Sequence, residues 1–170
     1  MQGEARQKLT LSHLRRCSLE QLEALYAEER PFVIPTSAYR GVHLAWLDTP
    51  GARHPLARPL EHLGFYWAPF GVDFTARQWF FFDRRFGIGR FSPQMGPSRW
   101  RDTETIRLHY DVSRLPRPLR GILYDEVKPL STALCLGIGG VNAPRGRGDH
   151  FFFALTALHP RAGLSGATGA

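Results

Sequence analysis

Four side chains capable of acid–base or ion-pair chemistry lie between a proline-rich turn and a predicted strand: Arg120, Tyr124, Asp125 and Glu126. A guanidinium, a phenol and two carboxyl groups at this spacing could transfer protons or control the mouth of a binding cavity. The same side chains could instead fix a helix-to-strand corner through salt bridges. From the sequence alone we favour that structural role.

A second candidate site follows from strand periodicity. In a regular strand Arg40 points to the same face as Val42, Leu44 and Trp46, because successive side chains alternate between the two faces. If this face lines a barrel interior, an inward arginine needs a partner. A ligand carboxylate fits, with the Tyr110 hydroxyl as a further donor. Alternatively, Arg40 lies at a strand end and points into water, or it pairs with an acid of the protein.

Further candidates share these strand phases. Tyr110 alternates with Ile106 and Leu108, and Arg90 is in phase with Ile88. The predicted ligand-binding residues are therefore Arg40, Trp46, Arg90, Ile106, Leu108, Tyr110, Arg120 and Tyr124. The sequence identifies no catalytic residue, although an enzyme on the same fold could use Tyr110, Asp111, Arg120 or Asp125.

The sequence contains no recognisable motif for a metal, a cofactor or a catalytic nucleophile. Its seven histidines and two cysteines lack the spacing of metal ligands. The glycines between Gly137 and Gly140 precede Pro144 and cannot open the helix of a dinucleotide-binding motif. Asp149 and His150 are adjacent, so on a strand they point to opposite faces, and a hairpin loop is the better interpretation. We predict no metal and no cofactor.

One helix is predicted near the start of the chain, over residues 18–29. Ser18 and Gln21 form a capping-box pattern, an apolar stripe follows at helical spacing, and Pro31 ends the segment. The stripe must be buried against another part of the chain.

Beyond this helix the sequence indicates about ten short strands separated by Gly, Pro, Asp and Ser. This spacing is typical of an all-β sandwich or barrel, and the lack of intervening helices excludes alternating βαβ units. The predicted strands are Tyr39–Leu47, Phe65–Ala68, Val72–Thr75, Gln78–Asp83, Gly87–Phe91, Ser98–Arg101, Thr103–Asp111, Asp125–Lys128, Ala133–Val141 and His150–Leu158.

The distribution of aromatic residues favours a barrel with a cover on its outside. Residues 79–82 and 151–153 carry large aromatic side chains on both strand faces, so an apolar exterior must be covered by the helix or by a second subunit. Gly137, Gly139 and Gly140 suggest bends or bulges. We predict a small, closed or nearly closed antiparallel β-barrel of about 8–10 strands, with the N-terminal helix packed outside. Residues 18–159 would form this domain, between a mobile arm (1–17) and a flexible tail (160–170).

Several short motifs resemble one known family. They are Gly41, the segment Thr49–Pro55, Leu108-His109-Tyr110-Asp111, Pro118-Leu119-Arg120, Tyr124-Asp125-Glu126 and Leu136-Gly137. Over about 100 residues their order resembles the bacterial GXWXG-type lipocalin-like proteins, although Gly41-Val42-His43-Leu44-Ala45 stands in place of the eponymous motif. The resemblance implies a barrel of the lipocalin or fatty-acid-binding type. It implies no catalytic residue.

Charge and composition narrow the function classes. The net charge is +7, but its 22 basic residues, all arginine except Lys8 and Lys128, are spread along the chain without the clustering of a nucleic-acid footprint. No uncharged stretch reaches the ~20 apolar residues of a membrane span. Cys17 and Cys135 are expected to be free thiols, which favours a cytoplasmic location.

We therefore predict that the barrel binds or carries a small hydrophobic or amphipathic ligand, either apolar or bearing a carboxylate. Two alternatives remain at this point. One is an enzyme on the same barrel, of an isomerase, lyase or chromophore-attachment type. The other is an interaction module that uses exposed aromatic strand faces, for example in a homodimer.

Overall fold

The structure is a computed structural model, and it describes residues 9–47, 69–114, 116–117, 120, 123–141 and 150–158. Two short helices, α1 (Leu11–Leu14) and α2 (Leu19–Ala27), precede nine strands. The strands are β1 (Ala38–Trp46), β2 (Phe70–Asp73), β3 (Gln78–Phe81), β4 (Gly87–Arg90), β5 (Ser92–Pro97), β6 (Glu104–His109), β7 (Leu123–Ser131), β8 (Leu134–Val141) and β9 (His150–Ala157).

The nine strands form one antiparallel sheet that curls into a nearly closed barrel. Their order is β4-β3-β2-β1-β9-β8-β7-β6-β5. The two edge strands, β4 and β5, are separated in the chain only by Phe91, so the first and last strands of the sheet must lie close together. The predicted all-β barrel of about 8–10 strands is confirmed.

Strand alternation divides the apolar residues between two buried clusters. The inner cluster fills part of the barrel and the outer cluster lies between the sheet and the helices. On β9, for example, Phe153 and Leu155 belong to the inner cluster, whereas Phe152 and Ala154 belong to the outer one. Both faces of the sheet are therefore buried along this strand, as its run of aromatic residues predicted.

Helix α2 covers the outer face at β9. The capping box is formed: the Ser18 hydroxyl accepts from the Gln21 amide (3.3 Å), and the Gln21 side chain accepts from the Ser18 amide (2.8 Å). Leu22 and Tyr26 are fully buried in the outer cluster. The Tyr26 ring meets the Phe152 ring edge to face at 5.9 Å. The N-terminal helix is therefore the predicted cover, on the outside of the barrel.

Residues 9–17, which we expected to belong to a mobile arm, include a structured turn. Leu11–Leu14 form helix α1, the Thr10 hydroxyl accepts from the His13 amide at 3.2 Å, and Leu14 is buried in the outer cluster. Residues 1–8 and 159–170 lie outside the described part of the chain. Neither helix is long or apolar enough to cross a membrane.

Buried polar groups attach α2 to the barrel wall. The Tyr26 hydroxyl donates to the side chain of Glu126 on β7 (2.9 Å) and lies 2.9 Å from the Thr105 hydroxyl. Lys128, also on β7, donates to the backbone carbonyls of Tyr26 (2.7 Å) and Glu28 (2.9 Å) at the end of α2. Because a helix leaves its last carbonyls unpaired, Lys128 supplies a C-terminal cap from outside the helix.

Two strand predictions differ from the structure at the β5 edge. Ser92–Pro97 was not predicted as a strand because Pro93, Gly96 and Pro97 disfavour one, but an edge strand tolerates proline. The predicted strand at Ser98–Arg101 is wrong. There the Ser98 hydroxyl accepts from the amides of Trp100 (3.1 Å) and Arg101 (2.9 Å), which makes a turn. The predicted strand Phe65–Ala68, the motif Thr49–Pro55 and the Asp149 loop lie outside the described residues.

The attachment of α2 can be tested by removing one oxygen atom. Tyr26→Phe leaves the fully buried side chain of Glu126 with one donor fewer. We expect a loss of about 2–3 kcal/mol in the free energy of unfolding, measured by urea denaturation. The matched control is Tyr39→Phe, which removes a 2.9 Å bond to the neutral carbonyl of Thr132 and should cost about 1 kcal/mol. An equal or smaller loss for Tyr26→Phe would contradict this account.

Candidate ligand-binding site

A cavity of about 490 Å³ lies inside the barrel at one end. This end is where β1 and β3 finish and where β2 and β7 begin, since Trp46, Phe81, Phe70 and Leu123 all line the cavity. The described lining residues are Trp46, Phe70, Trp79, Phe81, Ile88, Gly89, Tyr110, Leu123, Asp125, Gly140 and Phe151.

Described side chains of the inner cluster fill the interior next to this cavity. Ile106, Leu108, Val127 and Cys135 are buried in the inner cluster, and Phe32, from the segment between α2 and β1, packs against it. Among the described residues, the interior is therefore packed around these side chains, the solid half, and open around the cavity, the hollow half. The solid half gives the cavity a fixed floor.

A chain of three polar side chains crosses the wall of the cavity. The Trp79 indole N–H donates to the Tyr110 hydroxyl, and the Tyr110 hydroxyl donates to Oδ2 of Asp125. An indole N–H can only donate, so the Tyr110 hydroxyl accepts from Trp79 and keeps its own proton for Oδ2 of Asp125. Among the described lining residues, Asp125 is the only side chain with a carboxyl group.

Glycine on β8 makes room for this carboxyl group. Gly139 lies opposite Asp125 in the β7–β8 ladder, and a Cβ atom at Gly139 would collide with Oδ1 of Asp125. Two residues earlier, a Cβ at Gly137 would collide with the Phe153 ring. We expected bends or bulges here, but the register is regular from Leu136 to Gly140 against both neighbouring strands. These glycines serve close packing, not a bulge.

Burial sets the protonation of the interior groups. Burial raises the pKa of Asp125 to about 7; the hydrogen bond from Tyr110 opposes this rise and the nearby Glu126 adds to it. Burial and the adjacent Asp125 hold the pKa of Tyr110 well above its ordinary value. Burial also lowers the pKa of His43 to about 4. At neutral pH the His43 side chain is therefore uncharged, and Asp125 is poised between its two forms.

A bulge in β1 places Arg40 and Trp46 on opposite faces of the sheet. The pairing of β1 with β9 shifts between His43 and Ala45, so Trp46 faces the cavity while Arg40 faces outward. The Arg40 guanidinium donates to the Phe82 carbonyl at 3.3 Å and lies 5.7 Å from the centre of a phenyl ring of β3. The prediction that Arg40 enters the lumen is wrong, because regular alternation was assumed along the whole strand.

A second bulge, between β3 and β4, places Arg90 and Ile88 on opposite faces of the sheet. Gly89 has a φ of +64°, and the β3–β4 register shifts between Gln78 and Trp79. Ile88 lines the cavity, whereas Arg90 is exposed and pairs opposite Gln78 on the outer face. The shared phase predicted for Ile88 and Arg90 is therefore wrong.

The cluster that spans residues 120–126 is divided by the sheet. Asp125 faces inward, whereas Tyr124 belongs to the outer cluster, where it meets the Trp100 ring at 4.8 Å and the Arg99 guanidinium at 5.2 Å. The Arg120 amide donates to the carbonyl of Pro116 at 3.2 Å, which corresponds to one helical turn. Because Asp125 faces the lumen and Tyr124 faces the outer cluster, the four residues do not form one gate at the cavity mouth.

Two of the eight predicted residues, Trp46 and Tyr110, line the cavity; Ile106 and Leu108 lie in the solid half of the interior. Asp125, considered for control of the cavity mouth, for a salt-bridged corner and for the enzymatic alternative, and Trp79 are absent from the predicted site. The alternation of Leu123, Asp125 and Val127 was a signal that the carboxyl group faces inward. Phe81 and Phe151, which also line the cavity, were predicted as aromatic strand residues but were not included in the predicted site.

Comparisons with known proteins add one structural similarity. No family model matches the chain, and no curated protein matches it. Its fold is similar to the crystal structure of a protein from Thermomonospora curvata, with 16% sequence identity and a TM-score of 0.48. The match covers 84% of this chain and 89% of that chain.

Asp125→Asn tests the buried carboxyl group through stability. The folded protein holds this proton more tightly than the unfolded chain, in which the pKa is near 3.8. The stability from this group is thus complete below pH 4 and is lost as the pH rises toward 7, by at most about 4 kcal/mol. Asparagine removes that loss and can still accept from Tyr110.

We therefore expect urea denaturation to show Asp125→Asn gaining stability relative to the wild type between pH 4.5 and 8. A difference between the two proteins that does not change with pH would show that Asp125 titrates normally.

Proposed function

We propose that this protein binds a small, mainly apolar molecule in the hollow half of its barrel. The cavity carries the proposal: at about 490 Å³ it falls within the range of small-molecule sites, and its walls combine a few convergent polar groups with apolar surface. Six of its lining residues are aromatic: Trp46, Phe70, Trp79, Phe81, Tyr110 and Phe151.

The walls are held in place by the rings behind them. The Phe70 and Trp79 ring centres are 5.7 Å apart, and Phe153, beneath the cavity, lies 5.8 Å from Trp79 and 6.2 Å from Phe70. Because these rings already support one another, a ligand need not order them on binding. A preformed site of this kind supports binding by a lipocalin-like carrier, as the family resemblance implies. The free thiols of Cys17 and Cys135 are compatible with a cytoplasmic carrier.

The expected ligand carboxylate has no counterpart in this site. Arg40 and Arg90 lie on the outer face, and the described lining residues include no arginine or lysine. The proton of the Tyr110 hydroxyl is donated to Asp125. The polar part of the ligand must therefore be a group that interacts favourably with the carboxyl group of Asp125.

The interaction-module alternative has less support. Phe152 is covered by α2, and Phe151 and Phe153 face the interior, so this aromatic run forms no exposed face. A homodimer through other surfaces stays a prediction.

An enzyme on the same barrel is the second candidate, and one observation favours it. A carboxyl group with a pKa of about 7 inside a ligand-sized cavity can both accept and donate a proton at neutral pH. To test this, the protein is incubated in D₂O with a small-molecule extract of cells. Deuterium incorporation into one compound that is lost in the Asp125→Asn variant would support proton transfer by Asp125. If no compound incorporates deuterium, the enzymatic candidate fails and ligand binding is the function that remains.

The binding proposal predicts that a substitution that fills the cavity prevents the binding of a neutral apolar probe. N-phenyl-1-naphthylamine, an uncharged dye that fluoresces in apolar surroundings, should bind the wild type. Leu123→Trp replaces an aliphatic side chain of the cavity wall with a bulky indole ring. We expect the dye to bind this variant at least about tenfold more weakly in a fluorescence titration.

The matched control is Val112→Trp, which adds the same ring at an exposed position. It should bind the dye like the wild type. If neither the wild type nor the control binds, or if Leu123→Trp binds equally well, the cavity is not a binding site.

A further inference from the structure

We infer that the cavity is selective for organic cations: apolar molecules that carry an alkylated or otherwise permanent ammonium group. The inference rests on the proposed binding function and names the class of ligand. Three features carry it: a carboxyl group in the cavity wall, aromatic faces around it, and the placement of the arginines of β1 and β4 outside.

The first feature is the orientation of the Asp125 carboxyl group. Tyr110 donates to Oδ2, and Oδ1 packs against Gly139, where a Cβ atom would collide with it, so the carboxyl group is held from both sides. A carboxylate can accept at about four positions, and the Tyr110 hydroxyl uses one. The network therefore presents a negative group to a ligand without offering it the Tyr110 proton.

The second feature is the set of aromatic rings. The negative face of an aromatic ring attracts a cation, and alkylated ammonium groups are recognised by cages of such rings. Trp46 and Phe151 lie 5.5 Å apart on one side of the cavity, and Phe70 and Trp79 lie 5.7 Å apart on another. A cation that leaves water would meet these faces as well as Asp125. That combination compensates for the hydration it loses.

The third feature is the absence of positive charge from the described lining of the cavity. Arg40 and Arg90 were expected there, but both lie on the outer face of the sheet. His43, the nearest basic group on the inner face of β1, is neutral above pH 4. On the strands next to β7, Leu108 of β6 and Gly139 of β8 lie opposite Asp125. Tyr110, just beyond β6, donates to the carboxyl group, and Glu126 adds negative charge from the outer face of β7. An anion would find no partner among these groups.

The protonation of Asp125 is consistent with this role. Its carboxyl group is held near its midpoint by burial. A bound cation stabilises the ionised form, so binding should release a proton below neutral pH.

The test compares three ligands with the same eight-carbon chain: octyltrimethylammonium, 1-octanol and octanoate. Isothermal titration calorimetry at pH 8 should give the order octyltrimethylammonium, then octanol, then octanoate, with the cation at least about tenfold tighter than the anion. Equal affinities, or tighter binding of octanoate, would overturn the inference while leaving the proposed binding function intact. If none of the three binds, the proposed function fails with it.

Asp125→Asn separates charge recognition from the apolar cavity. The variant should lose most of its affinity for octyltrimethylammonium and keep its affinity for octanol. Asp102→Asn, which removes the same charge from an exposed position between β5 and β6, is the control and should bind all three ligands like the wild type. If both variants lose the cation equally, the attraction is a property of net charge and the site is not selective.

The pH dependence provides a second readout, because a quaternary ammonium group does not titrate. With Asp125 near a pKa of 7, the wild-type affinity for octyltrimethylammonium should rise roughly tenfold between pH 6 and 8, following the ionised fraction. The affinity of Asp125→Asn should stay constant over the same range. A wild-type affinity that does not rise would contradict the role of Asp125.

Discussion

Strand β7 buries an acidic side chain on each of its faces, and both halves of the molecule are arranged around that constraint. Asp125 faces the lumen and Glu126, the next residue, faces α2. Taking a carboxyl group out of water is costly unless it is hydrogen-bonded. Each acid therefore has a tyrosine that donates to it: Tyr110 inside the barrel and Tyr26 outside.

The outer acid explains why the helix is part of the barrel and not an appendage. Tyr26 reaches Glu126 through the outer cluster, and Lys128 returns to the end of the same helix. Without α2, Glu126 and Lys128, whose side chains are 0% and 1% exposed, would lose these partners and their cover. The helix thus allows the wall to be apolar on both faces, and this leaves the inner face free to build a cavity.

Much of this architecture was predictable from the sequence because it depends on local patterns. Capping chemistry predicted α2 from Ser18 and Gln21, and strand spacing predicted the barrel. The candidate site was predicted less well, because the face to which a side chain points depends on register. One extra residue in β1 turned Trp46 to the lumen and left Arg40 outside, and a bulge at Gly89, whose φ is positive, separated Arg90 from Ile88. The period-2 pattern that placed Tyr110 correctly also applied to Asp125, where β7 runs without a shift between Leu123 and Pro129.

The account depends on Asp125 facing a hollow, apolar interior that a ligand can enter. The most direct measurement is the ¹³C chemical shift of its carboxyl carbon, followed by NMR from pH 4 to 9 with and without octyltrimethylammonium. The account predicts a midpoint near pH 7 in the free protein and a clearly lower midpoint when the cation is bound. A midpoint near 4 that the cation does not move would contradict it.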